Sequence, residues 1–301
     1  MLRYSLAALA LKTFSLNQAS RRLYRELGNT YGARRRVTVG DFDSRLKRGD
    51  LLIDLCRKHH ALRDGDRLLE IGTGWMHWFS LYAALYYDLK ITGFDVWDNR
   101  QFPALVAAAR KLRVVLQERG ESQRPLARLD AIISSSDMAE LYRRLNFEYV
   151  IEPQGSLAQF GDRSFDNVIS FHVLEHVPRA NVPGLLQHMH RVLKPGATTI
   201  HQIGIDDHLA HYDRKASKKQ YLKYSDRTWR MLFENRVQYF NRLQASEWER
   251  LFTEAGFTLI DRIAETADVR SLRIHPRFRH LPPQDHACTI LTLVGRKADV
   301  H

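Results

Sequence analysis

The stretch RLLEIGTGWMHWFSLYAALYYDLKITGFDV, residues 67–96, decides how the rest of the chain is read. Its first five residues form a short, mostly apolar run that ends at two glycines, Gly72 and Gly74, as expected of a buried strand entering a tight turn. WMHWFSLYAALYY (75–87) is long enough and apolar enough for a helix, and LKITGFDV (89–96) reads as a second strand. Strand, glycine turn, helix, strand is the opening unit of a parallel sheet. Glu70 stands in the first strand and Asp95 ends the second. A carboxylate at the second position can accept both hydroxyl hydrogens of a ribose, and glycines at the first let backbone approach a ligand. The same device serves nicotinamide dinucleotides, so this stretch alone leaves the nucleoside open.

Outward from it the alternation continues. Residues 101–118 read as a helix, and SSSDMAELYRRL (134–145) opens with capping residues before another. FEYVIEP (147–153) and FDNVISFHV (165–173) supply a third and a fourth strand. VPGLLQHMHRVL is a helix stopped by KPG, ATTIHQIG (197–204) a fifth strand, and SEWERLFTEAGFTLIDRI with HACTILTLVGRK a last helix and two more strands. The expectation is an α/β fold, a doubly wound Rossmann-like sheet. Residues 203–245 break the pattern and are expected to form a helical insertion for acceptor binding. Upstream, residues 2–27 read as an amphipathic helix with Leu6, Leu9, Leu11 and Phe14 on its apolar side and a basic patch at Arg21, Arg22 and Arg25. GNTYGARRRVTVGD (28–41) is turn-rich and then basic, and a further helix is expected from about Asp41 to His60. The domain reading is an N-terminal helical extension or lid over 1–62 and a single cofactor domain over 63–301.

The 301 residues carry 46 Lys and Arg against 34 Asp and Glu, a formal net charge of +12. Such a balance favours an anionic partner. Zinc-finger spacing, an RNA-binding aromatic signature and long Lys/Arg runs are absent from the sequence, which argues against nucleic acid. The two cysteines, Cys56 and Cys288, form no paired motif, so a cytoplasmic location without disulfides is expected. No apolar run reaches membrane-spanning length, and the N-terminal helix is read as a lid or, alternatively, as a peripheral contact with an anionic membrane surface.

Four blocks in this order, LLEIGTGW, GFDVWDN, FGDRSFDNVISFHVLEHV and HRVLKPGATTIHQ, resemble the class I S-adenosylmethionine (SAM)-dependent methyltransferases over about residues 66–296. Phe165–Asp166 and Leu193–Lys194–Pro195–Gly196 separate the pattern from dehydrogenases. The resemblance, closest in style to type 11 methyltransferases, implies a seven-stranded sheet and SAM as cofactor. It makes Glu70, Gly72, Thr73, Gly74, Asp95, Gln154 and Phe171 the cofactor residues, with Glu70 anchoring the first loop near the aminoacyl end. Two departures stand out: Met76 occupies the place of the family's third glycine, and Gln154 that of the acid that often meets the adenine amine.

Methyl transfer to a hydroxyl requires removal of its proton. The Asn/Asp-Pro-Pro-aromatic loop that often serves nitrogen acceptors is replaced by SFHVLEHV, which argues against methylation of nucleic-acid bases or protein amines. His172 ends the fourth strand, His201 the fifth, and Asp206, Asp207, His208, His211 and Asp213 crowd after it. His208 is the expected general base, with His201 and His172 behind it. HVLEH resembles the Glu-x-x-Glu-His metal cluster of ubiquinone-pathway O-methyltransferases. The preferred reading is no metal, with Glu175 and His176 holding the loop; His172, Glu175 and His176 are the alternative metal set. His211, Tyr224, Trp229, Tyr239, Asn241 and Arg242 suit a sugar ring or headgroup. The stretch from His201 to Leu243 resembles methyltransferases of bacterial polysaccharide and glycolipid gene clusters. That implies O-methylation of a sugar, glycan or glycolipid intermediate. The rivals are a quinone-type or other small-molecule O-methyltransferase and a SAM-binding partner protein without catalysis.

Overall fold

Seven runs become strands in the computed structural model, which describes residues 2–35 and 39–299. They are β1 (Arg67–Ile71), β2 (Lys90–Asp95), β3 (Phe147–Ile151), β4 (Phe165–Phe171), β5 (Leu193–Gly204), β6 (Phe257–Thr266) and β7 (Cys288–Lys297). They make one mixed sheet in the order β3-β2-β1-β4-β5-β7-β6. The expected seven-stranded Rossmann-like architecture is therefore present. β1 pairs in parallel with β2 and with β4, Leu69 lying opposite Thr92 on one side and Val168 on the other. Chain order reverses across β1 and β4, and open α/β sheets bind ligands at the carboxyl ends of strands at such a switch point.

The chain forms two compact units. One comprises Gly28–Phe171, His188–Ile200 and the chain from Arg296 onward; the other comprises the chain up to Leu27, His172–Gln187 and His201–Gly295. This division does not coincide with a boundary at residue 62. The first unit carries the helices Val39–His59, Trp78–Tyr86, Phe102–Glu118, Gln123–Ile133 and Met138–Leu145. Leu68, Leu69, Ile91, Phe94, Val168 and Ile169 form the sheet side of its core, each at most 2% exposed. The Asp137 carboxylate caps the helix that starts at Met138 by accepting the Glu140 N–H at 2.8 Å, as the capping residues predicted. The helix Gln123–Ile133 was not expected from the sequence. Pro125 lies in its first turn, where a missing N–H costs no helical bond, and Leu129 and Ile132 supply its buried face.

In the second unit the N-terminal helix differs from its sequence reading in two respects. The chain turns at residues 15–17 between helices Leu2–Phe14 and Gln18–Arg35, so the stretch from Gly28 to Arg35 is helical and not turn; residues 36–38 lie outside the described residues. The buried face is Tyr4, Ala8 and Leu11, not the Leu6–Leu9 side. Tyr4 decides this: its hydroxyl donates to Asp207 at 2.7 Å, a buried pairing that satisfies the phenol. Tyr4, Ala8 and Leu11 share a core with Leu209, Tyr221, Trp229, Phe233, Phe240 and Phe278. The stretch 203–245 is less helical than expected. It consists of 3-10 turns at His208–Tyr212 and Gln220–Lys223 and one short helix, Asp226–Leu232. Lys219 holds it from inside: fully buried, its ammonium donates to Ile205 O, Gln244 Oε1 and Cys288 O at 3.1, 2.9 and 2.7 Å. No helix among the described residues is long and apolar enough to cross a membrane.

Candidate functional site

At the end of β1 the backbone folds back on β2. Gly72 and Gly74 both take positive φ, 72° and 66°, the left-handed region that a side chain would strain. The Gly72 N–H donates to Phe94 O at 2.7 Å, and the Gly74 N–H donates to Asp95 Oδ2 at 2.9 Å. The same oxygen accepts the Tyr149 hydroxyl from β3 at 2.9 Å. Asp95 therefore ties the turn to the sheet with one carboxylate oxygen, while Oδ1 accepts no protein hydrogen bond among the described residues. Burial pushes its pKa up to about 6, against the lowering effect of those two donors and helped by nearby Asp98. Thr73 is buried, and Gly93 across from it leaves room: a Cβ there would sit 2.9 Å from the Thr73 hydroxyl and 2.8 Å from the Phe147 ring.

Glu70 anchors the loop in a specific manner. It is 1% exposed, and its carboxylate accepts the Ser80 N–H at 3.0 Å, capping the first turn of helix Trp78–Tyr86 from the strand before it. Burial drives its pKa to about 8. Met76, in place of a glycine, does not wall the turn; its side chain is buried and shares a small apolar space with Leu81, Leu105 and Leu112. His77 closes the turn in the left-handed conformation (φ 49°), fully buried, with Nε2 2.7 Å from the Tyr142 hydroxyl and its ring stacked on Phe147. Phe171, at the end of β4, stacks on Phe79 with ring centroids 3.9 Å apart. Gln154 is exposed, and the neighbouring Glu152 carboxylate is occupied by the N–H groups of Gln154 and Ser156. Glu70, Gly72, Thr73, Gly74 and Asp95 are thus brought together. Tyr149 and His77 belong to the same constellation, and sequence reading missed both. The alternation of FEYVI was the available signal for Tyr149.

The second unit holds the other expected residues. His172 takes a positive φ of 55° and its Nδ1 lies 3.2 Å from Glu175 Oε1, an ion-pair distance without hydrogen-bond geometry. Glu175 is buried, yet neither of its oxygens accepts a hydrogen bond among the described residues. Gly204 makes the space: a Cβ there would fall 2.6 Å from Glu175 Oε1 and 3.0 Å from His172 Nδ1. His176 is held through Nδ1, 2.7 Å from Tyr239 O. Ligand atoms of Glu175, His176 and His208 lie within 4.8 Å of one another, so the group that could take a cation contains His208 where the sequence suggested His172.

The carboxylate of Asp206 serves His211 more closely than His208, the expected base. Asp206 Oδ2 is 2.6 Å from His211 Nε2, whereas His208 Nε2 is 4.0 Å from Asp206 Oδ1. The hydrogen bond to Asp206 raises the His211 pKa, and burial lowers that of His208 to about 4. His201 is fully buried against Phe252, and burial lowers its pKa to about 3. A base shut into the core in this way cannot meet an acceptor. Two further expectations are corrected by burial. Trp229 is 1% exposed within the aromatic core. Asn241 donates to Leu174 O and Val177 O and accepts the Leu243 N–H, so its amide holds the 174–177 turn. Arg242 pairs with Asp226 at 2.8 Å and covers the Trp229 ring; Tyr224 packs on Phe233; the Tyr239 hydroxyl accepts the Arg179 N–H. Of the expected acceptor contacts, His211 is the most open, with 63% of its side chain exposed.

A methyltransferase-domain family model matches residues 45–262. No curated protein matches the chain. Among solved structures it resembles a SAM-dependent methyltransferase from Methanosarcina mazei at 19% identity, covering 80% of this chain and 97% of that one, with a TM-score of 0.47. It also resembles phosphoethanolamine N-methyltransferase 2 of Haemonchus contortus at 16% identity, with 83% of this chain and 53% of that one covered and a TM-score of 0.47.

Proposed function

The chain belongs to the class I methyltransferase family and is an enzyme that uses SAM, and from that premise we propose that it methylates a hydroxyl of a sugar, glycan or glycolipid intermediate. The observation that carries this reading is the Asp206–His211 pair beside His208. An acceptor hydroxyl must lose its proton as its oxygen displaces the sulfonium, and a histidine held by a carboxylate is suited to take it. Asp206 fixes the ring of His211 and stabilises its imidazolium. His208, kept neutral by burial, is the ring that accepts or donates a hydrogen bond without holding the proton. The proton-accepting role thus passes from His208 to His211.

On the cofactor side the donor set fits a nucleoside. Bound SAM supplies an electrophilic methyl group. Asp95 offers Oδ1 to the ribose hydroxyls while Oδ2 keeps the turn closed, and the two left-handed glycines let backbone reach the aminoacyl end. Glu70 and His77 act by holding the turn.

The test is a methyl-release assay over nucleotide sugars, lipid-linked saccharides and amines. Hydroxyl acceptors are expected to turn over, and His211→Ala to lose about 10²–10⁴-fold in turnover with SAM affinity unchanged. Turnover of amines alone, or full activity in His211→Ala, overturns the proposal. A second reading, metal-assisted methylation of a small hydroxylated acceptor of the quinone type, is favoured by the buried Glu175 carboxylate, which accepts no hydrogen bond among the described residues, beside His176 and His208. Activity abolished by chelator and restored by a divalent cation distinguishes it.

A further inference from the structure

The helix Leu2–Phe14 is apolar on two opposite faces. One face, Tyr4, Ala8 and Leu11, is buried in the aromatic core. On the other, Leu2, Leu6 and Leu9 are 75%, 55% and 64% exposed, and the spacing puts all three on a single stripe. Leu16 in the following turn, at 78%, and Leu23 and Leu27 on the next helix are exposed as well. A second element adds to the patch. The Lys12 ammonium donates to Arg230 O at 2.8 Å, which sets the exposed Met231 and Leu232 beside this helix. A surface helix of a water-soluble protein normally turns its polar side outward, and a run of outward leucines of this kind marks an interaction face.

Charge identifies what the face meets. Residues 2–27 carry five cations, Arg3, Lys12, Arg21, Arg22 and Arg25, against the single acid Glu26. Arg227, Arg230 and Arg236 are exposed on the neighbouring segment, whose Arg236 N–H donates to the Ser15 hydroxyl. Leucines rimmed by arginines match an anionic lipid surface, whose acyl boundary takes the apolar stripe and whose headgroups take the cations. A second copy of the chain would bring an identical basic rim against the first, on a protein of net charge +12, and is disfavoured by like-charge repulsion. We propose that this leucine face with its arginine rim docks the enzyme on anionic membranes, lying in the interface without crossing it. The proposal does not depend on which acceptor is methylated.

The experiment is co-sedimentation of the full chain with vesicles of phosphatidylcholine alone and of phosphatidylcholine enriched in phosphatidylglycerol. Binding is expected to the anionic vesicles only and to fall with added salt. Arg21→Gln should weaken it about fivefold, the effect of one basic residue near such a surface. Leu6→Gln with Leu9→Gln keeps helix-forming residues and should weaken it at least about tenfold. SAM titration and circular dichroism of each variant report the fold. If the double variant does not fold, a polarity-sensitive dye on Leu9→Cys reads the same contact. The native cysteines are buried, and the dye should shift to the blue on anionic vesicles while the same dye on Val114→Cys, exposed in the other unit, does not. Equal binding to neutral vesicles, no binding at low salt, or an unshifted Leu9 dye overturns the proposal. So does a wild-type dimer that the double substitution converts to monomer without any vesicle binding, which would make the face a self-interface.

Discussion

Lowering the pH from 7 to 5 should cost this enzyme about tenfold in SAM affinity, through Asp95 alone. The carboxylate is 8% exposed and has no cation paired with it among the described residues; burial is the main reason its pKa rises to about 6. A ribose diol donates hydrogen bonds, so it prefers the ionised form, and binding must release a proton wherever the free enzyme holds one. With a pKa of about 6 the ionised fraction falls from roughly nine-tenths at pH 7 to roughly one-tenth at pH 5, which sets the tenfold loss. Glu70, at about 8, stays mostly protonated across this interval and is not the source of the slope. Asp95→Asn separates the effects. It removes the charge, should weaken SAM about 10–100-fold at pH 7 through loss of charge-assisted hydrogen bonds, and should leave a flat profile. Isothermal titration in two buffers of different ionisation heat measures both affinity and proton release, with circular dichroism confirming the fold at pH 5. A wild-type affinity that does not change over the interval, or an Asn variant that keeps the wild-type slope, refutes the reasoning.

Two further predictions follow from buried carboxylates. Glu70 has a folded pKa of about 8 against an ordinary 4.5, so the native state takes up a proton and stability is greatest below the unfolded value and lost as pH climbs toward 8. Glu70→Gln mimics the protonated form and still accepts from Ser80; chemical denaturation should show it gaining on the wild type, by a few kcal/mol in all, between pH 5.5 and 8.5, and parallel curves would contradict this. Gly204→Ala places a methyl against Glu175 and His172, and should destabilise by about 1–3 kcal/mol while lowering turnover far more than SAM affinity, as measured by thermal melts, kinetics and titration.

The sheet and the cofactor turn were legible because their signals are local. A glycine pair between two strands, an acid at the end of the second and a capping aspartate before a helix each act on residues a few positions away, and Gly72, Gly74, Asp95 and Asp137 all sit where those signals put them. The acceptor-side residues were harder to read because burial and pairing there are set across long separations. His208 and His211 are both within reach of Asp206 in the sequence. Only the irregular 3-10 path of 208–212 gives the carboxylate to His211. Trp229 and Asn241 have side chains that suit a sugar, but one fills the core and the other closes a turn 67 positions away in sequence.

The N-terminal helix shows most clearly why pattern alone was insufficient. Leucine content puts Leu6, Leu9, Leu11 and Phe14 on one apolar side in the sequence, but positions 4, 8 and 11 also have helical spacing, and of the expected set only Leu11 is in the buried face. The choice was made by Tyr4, whose hydroxyl finds Asp207 at a separation of 203 residues, and by Asp213, which accepts the Tyr4 N–H. The Tyr4 ring can be buried without penalty because its hydroxyl is satisfied by the Asp207 carboxylate, so the face that carries it gains the aromatic core. The leucines turned outward in consequence, and the face they form is one that water alone would not select.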